Sequence, residues 1–394
     1  MARPHYSKIE RAHRILEYLR QNSDSEHIVT QKSLREDQTM EPYLGDKETY
    51  NDTIVKLADA LNSNPDGTLK QENEWRLIFD DFKKRYGNEA LDQPETDDDD
   101  FFNQKMRIRN LHYQHIFTYE EIHRLIESVL FSKTLDTKTA DIIINKILKN
   151  LTTQFYQNSF QQICRIHEQA YGDIEVLKDN LQTIREAINA KVKISFKFNG
   201  FNKYHHLLPV RGDKDCVSPY YIVANGGRYY LLACREGNKE QEKNMSIWRV
   251  DLMSEIEIPK KNREAGSTGE PALPKDQVHN LPQSWREDFH YQHLDMAFDK
   301  PVSIRLKVKS SKTADGENLR PDYTFLQDRF GNTFRYIAKD RSNPDFDIIR
   351  VICSPFAMSN FAMQYSDRVE VLGPDFVREM VIEKIKILKQ KYMV

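Results

Sequence analysis

Cysteine is scarce: Cys164, Cys216, Cys234 and Cys353 lie far apart in 394 residues and form no C-x-x-C pair. With no leader-like apolar start, this usage points to a reduced, cytoplasmic protein. No run approaches the ~20 apolar residues that a membrane span needs, so no membrane role is expected. Net charge is also nearly absent. Lys plus Arg total 58 against 60 Asp plus Glu, for a formal charge of -2. No global positive field exists to hold a polyanion, so any nucleic-acid site has to be a local patch.

Catalytic signatures are missing as well. There is no G-x-x-x-x-G-K-[ST], no G-x-S-x-G and no H-E-x-x-H. Two H-x-x-H pairs exist, His112/His115 and His290/His293, but neither has a nearby Cys or a well-spaced second His pair. The first pair falls in an expected strand, where that spacing separates the rings onto opposite faces. The second sits beside Glu287 and Asp288 and suits a solvated helix. No enzymatic activity, no metal and no cofactor are therefore expected.

What is present is the balance of a folded soluble protein: 39% hydrophobic, 30% charged and 11% aromatic residues. At ~150 residues per domain the chain holds two or three domains. Ile9, Ala12, Ile15, Leu16 and Leu19 recur at helical spacing. Thr30 caps a second helix containing Leu34, and a third begins near Asp46 with Tyr50, Ile54, Leu57 and Leu61 on one face. Three short helices with Gly67 and a wing around 69–79 outline either a winged helix-turn-helix or another small three-helix domain. The run Asp97, Asp98, Asp99 and Asp100, with Asp92, Pro94 and Glu95, repels itself and reads as a linker.

Beyond the linker, 106–117 has strand character, and Thr118 with Glu121 opens a helix through Phe131. Further helices are expected over 137–151 and 174–190. From Val192 the period changes to two: Val192, Ile194, Phe196 and Phe198 alternate with Lys193, Ser195 and Lys197. Strands over 216–224 and 228–234 flank Asn225-Gly226-Gly227, a tight-hairpin signal, and another covers 246–251. A run of short strands without helices between them predicts a small SH3-like or Sm-like barrel. The C-terminal third predicts a small α+β domain, with strands at 302–308, 333–338 and 347–353 and helices at 322–330, 355–365 and from Asp375.

The expected organisation is α+β and multidomain. It comprises a helix-turn-helix-like domain at 1–91, an acidic linker at 92–105, a strand and linking helices at 106–190, a β-barrel at 191–258, a linker at 259–283 and a C-terminal α+β domain at 284–394. The last helix, with Val377, Met380, Ile385 and Leu388 apolar, suits a homodimer surface.

Three stretches of the barrel carry a resemblance: Val217-Ser218-Pro219-Tyr220-Tyr221-Ile222-Val223, Asn225-Gly226-Gly227-Arg228-Tyr229-Tyr230-Leu231-Leu232 and Trp248-Arg249-Val250-Asp251. Together they resemble the WYL domain of bacterial regulators. Tyr229-Tyr230-Leu231 stands at the name-giving tripeptide with Tyr in place of Trp, and Leu252 stands where the family has a second Arg. The resemblance extends to the helix at 174–190, and to Ala362-Met363-Gln364-Tyr365 and Val369-Glu370-Val371-Leu372-Gly373-Pro374 in the C-terminal extension. It implies a winged helix-turn-helix, a WYL barrel and a ferredoxin-like dimerisation domain in a nucleic-acid-linked regulator, dimeric, whose barrel senses a nucleotide or single-stranded nucleic acid. It also implies a CRISPR effector complex as partner, the protein acting as an accessory to an RNA-targeting effector in antiviral defence. The alternative is a ligand-responsive transcriptional regulator that binds duplex DNA. For that role Lys47, Tyr50, Asn51 and Lys56 on the reading helix, with Arg11 and Arg14, are the candidate contacts, opposed by Glu48 and Asp52.

Segment 191–258 holds eleven Lys and Arg against eight Asp and Glu. Arg211, Arg228, Arg235 and Arg249 provide planar cations for phosphate, and Tyr204, Tyr220, Tyr221, Tyr229 and Tyr230 provide planes for bases. His205 and His206 are candidate rim contacts. Adjacent tyrosines alternate across a strand, so of Tyr229 and Tyr230 one is expected in the core and the other exposed. Arg249 matches the family's pocket Arg and is the leading candidate.

Overall fold

The computed structural model describes residues 6–87, 106–132, 134–156, 174–235, 243–260, 269–312, 319–320 and 322–392. The expected acidic linker at 92–105, Cys164 and part of the linker at 259–283 lie outside these. The chain divides into two compact units, Met1–Gln169 and Ala170–Val394.

In the first unit α1 (Lys8–Asn22) starts at Ser7, whose side chain accepts from the Glu10 amide at 3.2 Å. Helix α2 (Gln31–Glu36) is capped by Thr30, α3 (Glu41–Leu44) follows, and α4 (Lys47–Asn62) is capped by Asp46, which accepts from the Thr49 amide at 2.7 Å. Their apolar faces meet in one core that includes Ile15, Leu19, Leu34, Tyr50 and Ile54, together with Trp75, Phe79 and Phe82. Ile9, expected on the apolar face of α1, is instead exposed, because the core begins a turn later.

The stretch expected as a wing is not a hairpin of its own. Ser63 bridges Leu69, and β1 (Leu77–Ile78) pairs antiparallel with β2 (His112–Tyr113). Two residues are therefore all that is strand in the segment 106–117. Asn62, fully buried, donates to the Leu77 carbonyl at 2.8 Å and accepts from the Arg76 amide at 2.6 Å, which ties α4 to β1. Helices α5 (Asp80–Tyr86), α6 (Tyr119–Phe131) and α7 (Thr137–Leu151) follow among the described residues of this unit. A capping box between Thr118 and Glu121 opens α6, and Ile122 and Ile126 pack against Ile144, Ile147 and Leu148.

In the second unit α8 (Ile174–Ala190) lays Leu177, Leu181, Ile184 and Ala187 on an antiparallel sheet. Its strands are β3 (Ile194–Phe201), β4 (Leu207–Pro209), β5 (Asp215–Asn225), β6 (Arg228–Cys234), β7 (Met245–Arg249) and β8 (Met253–Glu257). The order is β4-β3-β5-β6-β7, with β8 back on β3. A single 3-10 turn, Val250–Leu252, joins β7 to β8, so the sheet curls round on itself. Buried Asn180 of α8 donates to the Met253 carbonyl at 2.9 Å and holds that turn. Gly226 and Gly227 both adopt positive φ, 56° and 80°, as the tight β5–β6 hairpin requires.

The segment expected as a linker at 259–283 is, from 269 on, a strap laid on the barrel. Pro271 bridges Val192, Asn244 bridges His279, and the Leu273 amide donates to Ser218 Oγ at 2.9 Å. After α9 (Phe289–Gln292) the chain builds β9 (Val302–Lys309), the short pair β10 (Ser311–Lys312) and β11 (Leu319–Arg320), α10 (Thr324–Phe330), β12 (Arg335–Lys339), β13 (Phe346–Cys353), α11 (Pro355–Gln364), β14 (Val369–Gly373) and α12 (Asp375–Tyr392). The antiparallel order β12-β13-β9-β14 places β9 centrally, with α10 and α11 on one face around Leu306, Val351, Phe325 and Phe361.

Asp24 anchors the loop after α1. Its Oδ1 accepts from the Glu26 and His27 amides at 2.9 and 2.8 Å, and its Oδ2 accepts from Tyr119 Oη at 2.6 Å. Burial pushes this carboxyl up, but the hydrogen bonds from Tyr119 and His27 outweigh it and hold the group at about 2. Because the folded value is depressed from 3.8, the stabilisation is full above that value and is lost as pH falls through about 2. In denaturant titrations across pH, Asp24→Asn is expected to be less stable than wild type at neutral pH, with the gap closing below about pH 2.

Candidate functional site

Strands β5, β6 and β7 are apolar on both faces. Towards the barrel interior point Val217, Ile222, Tyr229, Leu231, Ala233 and Trp248, packed against α8. Trp248 meets Phe196 and Phe198 edge-on at 5.2 and 5.1 Å and donates from Nε1 to Ser246 Oγ at 2.7 Å. The outer face carries Tyr220, Leu232, Cys234 and Met245, buried by Val278, Leu281, Phe289 and Met296 of the chain that follows the barrel.

This cover decides the tyrosines. Tyr220 is buried, and its hydroxyl donates to the Leu273 carbonyl at 2.7 Å, so it is a core residue and not a contact. Tyr221 donates to the Pro282 carbonyl at 2.9 Å. A register shift between Pro219 and Tyr221 turns both consecutive rings to the outer face, which simple alternation does not anticipate. Tyr229 and Tyr230 do alternate, Tyr229 inward and Tyr230 outward, but both are half-buried because each face has its own cover.

The cover ends near the β5–β6 turn. Arg228 and Tyr230 lie two residues apart on β6 and so share the outer face. Arg249 stands directly opposite Tyr230 on β7. Arg249 donates from Nε and Nη2 to the two carboxylate oxygens of Asp251 at 3.2 and 2.6 Å, and the Asp251 side chain is only 5% exposed. This bidentate pairing fixes the guanidinium plane while leaving the Arg249 side chain 30% exposed. Along the same border Lys275 sits 4.1 Å over the Tyr221 ring, with the exposed Trp285 5.7 Å away. The arrangement offers planar cations and aromatic faces in one place, which suits a phosphate with a base attached.

The other arginines are elsewhere. Arg211 and Arg235 both reach the buried Asp215, at 3.5 and 3.4 Å. Seven residues of β6 separate Arg235 from Arg228, about 23 Å along the strand. Tyr204, His205 and His206 form the exposed β3–β4 connection, where Asn202 Oδ1 accepts from the Tyr204 and His206 amides at 2.9 and 3.0 Å. The candidates thus fall into three groups, of which Arg228, Tyr230 and Arg249 form one. Asp251, Lys275 and Trp285 escaped the sequence reading. Asp251 was legible two residues after Arg249, whereas Lys275 and Trp285 arrive only through the strap.

In the first unit Tyr50 is buried in the core and is no duplex contact. Lys56 lies nine residues, half a turn out of phase, from Lys47, and is paired with Asp52 at 2.7 Å. Lys47, Asn51 and Lys56 therefore do not share one face. Arg14 is exposed but bonded to Glu17 at 3.6 Å, and Arg11 is half-buried. Among the described residues no group of three or more His, Cys, Asp and Glu converges to hold a metal, and no helix is long and apolar enough to cross a membrane. His293, expected on a solvated helix, is buried against Phe289, with Nδ1 2.7 Å from the Ala297 carbonyl.

Comparison with known proteins agrees with the barrel. The WYL domain model matches residues 179–258, so this chain carries a WYL domain formed by most of α8 and the curled sheet. No curated protein matches the chain. Among solved structures it is similar to proteasome accessory factor B/C (PafBC) of Arthrobacter aurescens, at 12% identity and a TM-score of 0.24. That match covers 72% of this chain and 39% of the PafBC chain. It is also similar to a CRISPR Cas-related protein, at 12% identity and a TM-score of 0.29, covering 69% of this chain and 73% of the other.

Asp251→Ala removes this bidentate clamp on Arg249, whose guanidinium then rehydrates in part. The expected cost is about 1–2 kcal/mol, towards the low end for hydrogen bonds to charged groups because solvent screens the partly exposed pair, read as a lower denaturation midpoint at unchanged slope.

Proposed function

We propose that this protein is a non-enzymatic regulator whose WYL barrel binds single-stranded nucleic acid or a nucleotide-like ligand at the open end of its outer face. Arg249 and Arg228 contact phosphate, and Tyr230 stacks on a base. The observation that carries the reading is the clamped, part-exposed Arg249 facing Tyr230 across the β6–β7 ladder. Packing does not account for an arginine held in a fixed plane at the edge of an apolar face. A pre-set guanidinium instead lowers the ordering cost of ligand binding. Arg211 and Arg235 on Asp215, and Tyr204, His205 and His206, are further contacts for a strand long enough to leave the first site.

The family resemblance adds the rest of the proposal: a cytoplasmic accessory in antiviral defence that modulates an RNA-targeting CRISPR effector. We read the C-terminal β-α-β-β-α-β order, with its sheet order β14-β9-β13-β12, as ferredoxin-like, and α12 as a homodimer surface through the exposed Ile382, Ile385 and Leu388. Val377, expected on that surface, is buried in the domain's own core. The second reading is transcriptional control through a winged helix-turn-helix. It is favoured by the exposed Lys47 at the start of α4 beside the half-buried Asn51, with Arg14 on α1.

Fluorescence anisotropy with labelled single-stranded RNA, single-stranded DNA and duplex DNA at ~50 and ~200 mM salt separates the two. Arg249→Ala is expected to weaken single-strand binding about tenfold or more, at 1.4 kcal/mol per factor of ten, with duplex binding feeble throughout. Duplex binding that is lost only on changing Lys47 and Asn51 would favour the second reading and sink the first.

A further inference from the structure

The C-terminal sheet is covered on one face and open on the other, and the open face carries an unusual row. Arg335 of β12 is the direct partner of Arg350 of β13, which is the direct partner of Arg305 of β9. Direct antiparallel partners share a face, so three guanidinium groups stand side by side on neighbouring strands, about 4.8 Å apart. All three residues are exposed. The next position in the row is Gly373 of β14, which has no side chain, and a Cβ there would lie 3.6 Å from Arg305 Nη2.

Like charges directly opposite one another destabilise a sheet. Here nothing local relieves them: among the described residues none of the three has a carboxylate partner, and Arg335 Nη1 is spent only on the Asn332 carbonyl at 3.1 Å. Of the acids at this sheet, Glu370, opposite Lys307, is engaged by Arg378 at 3.6 Å, and Asp340 by Lys307. Alternation along β9 places Lys309, and Lys307 with its Asp340 partner, on the same face as Arg305. Beside it lie Ile348, the exposed Ile352 and Phe346, with Lys307 Nζ 4.8 Å over the Phe346 ring.

We propose that this open face is a second binding surface, for the backbone of a single-stranded nucleic acid, with Arg305, Arg335 and Arg350 each holding phosphate. A flat row of evenly spaced planar cations fits a polyanion with regularly spaced charges, and guanidinium faces flanked by apolar side chains also accept unpaired bases. Binding relieves the repulsion that the free sheet tolerates. The surface is distinct from the barrel end and stands independently of the reading given for it.

The test uses the full chain and a labelled oligouridine of about twenty nucleotides, with binding measured over a salt series. Replacing all three residues (Arg305→Gln, Arg335→Gln, Arg350→Gln) is expected to weaken binding at least tenfold at low salt and to flatten the log K against log salt slope by about 2, at ~0.7 per phosphate. Its melting temperature stays equal or rises, because repulsion is lifted. The triple Lys variant keeps the wild-type slope. A Gln variant with wild-type affinity and slope overturns the proposal, as does a Lys variant that loses as much as Gln. Polyglutamate that binds the row as tightly as RNA would assign it to an acidic protein instead, also overturning it. Loss of all binding in Arg249→Ala, with the Gln variant unaffected, rejects the sheet and keeps the barrel; the reverse pattern rejects the barrel and keeps the sheet.

Discussion

Burial of β5, β6 and β7 on both faces is the constraint from which the second unit takes its form. Strands this apolar cannot leave either side in water, so α8 closes the interior and the strap after 269 closes the exterior. Once the strap is in place the tyrosine hydroxyls beneath it have to find protein partners, and Tyr220 and Tyr221 take the carbonyls of Leu273 and Pro282. What remains of the outer face is the end beside the β5–β6 turn. The position of the candidate site is therefore a consequence of where the cover stops.

Charge is arranged to suit that burial. Asp251 and Asp215 are both withdrawn from solvent, and a buried carboxylate needs a cation within reach. Asp251 takes Arg249 in a two-pronged contact that sets its plane, and Asp215 is shared by Arg211 and Arg235. The two carboxylates sit towards opposite ends of β6, Asp251 with Arg249 opposite Tyr230 and Asp215 with Arg235 just past Cys234, so the two arginine groups are separate. A locally positive barrel in a slightly acidic protein thus resolves into separate patches, each with its own anchoring acid.

The C-terminal sheet obeys the opposite rule, with one face in the core and one in water. Strand β9 alternates cleanly: Ile304, Leu306 and Val308 point inward, and Arg305, Lys307 and Lys309 outward. That pattern is legible in the sequence of one strand. The row of three arginines is not, because Arg305, Arg335 and Arg350 become neighbours only through the pairing of β9 with β13 and of β13 with β12.

Much of the local structure was readable from residues alone. Helix starts at Thr30, Asp46 and Thr118 are where a capping side chain precedes an apolar period, and the β5–β6 hairpin is where Asn225-Gly226-Gly227 tolerates positive φ. These signals act over a few residues, so sequence spacing contains them. Exposure is different. Whether Tyr50 or Tyr220 meets solvent depends on elements far away in the chain, as does the partner of β1, which comes from beyond the acidic run. By itself the sequence determined the periods, the caps, the turns and the presence of arginine and tyrosine in the barrel. Only the tertiary structure decided which of them share a face and remain uncovered, because strand register and the strap are set by contacts that sequence neighbours do not make.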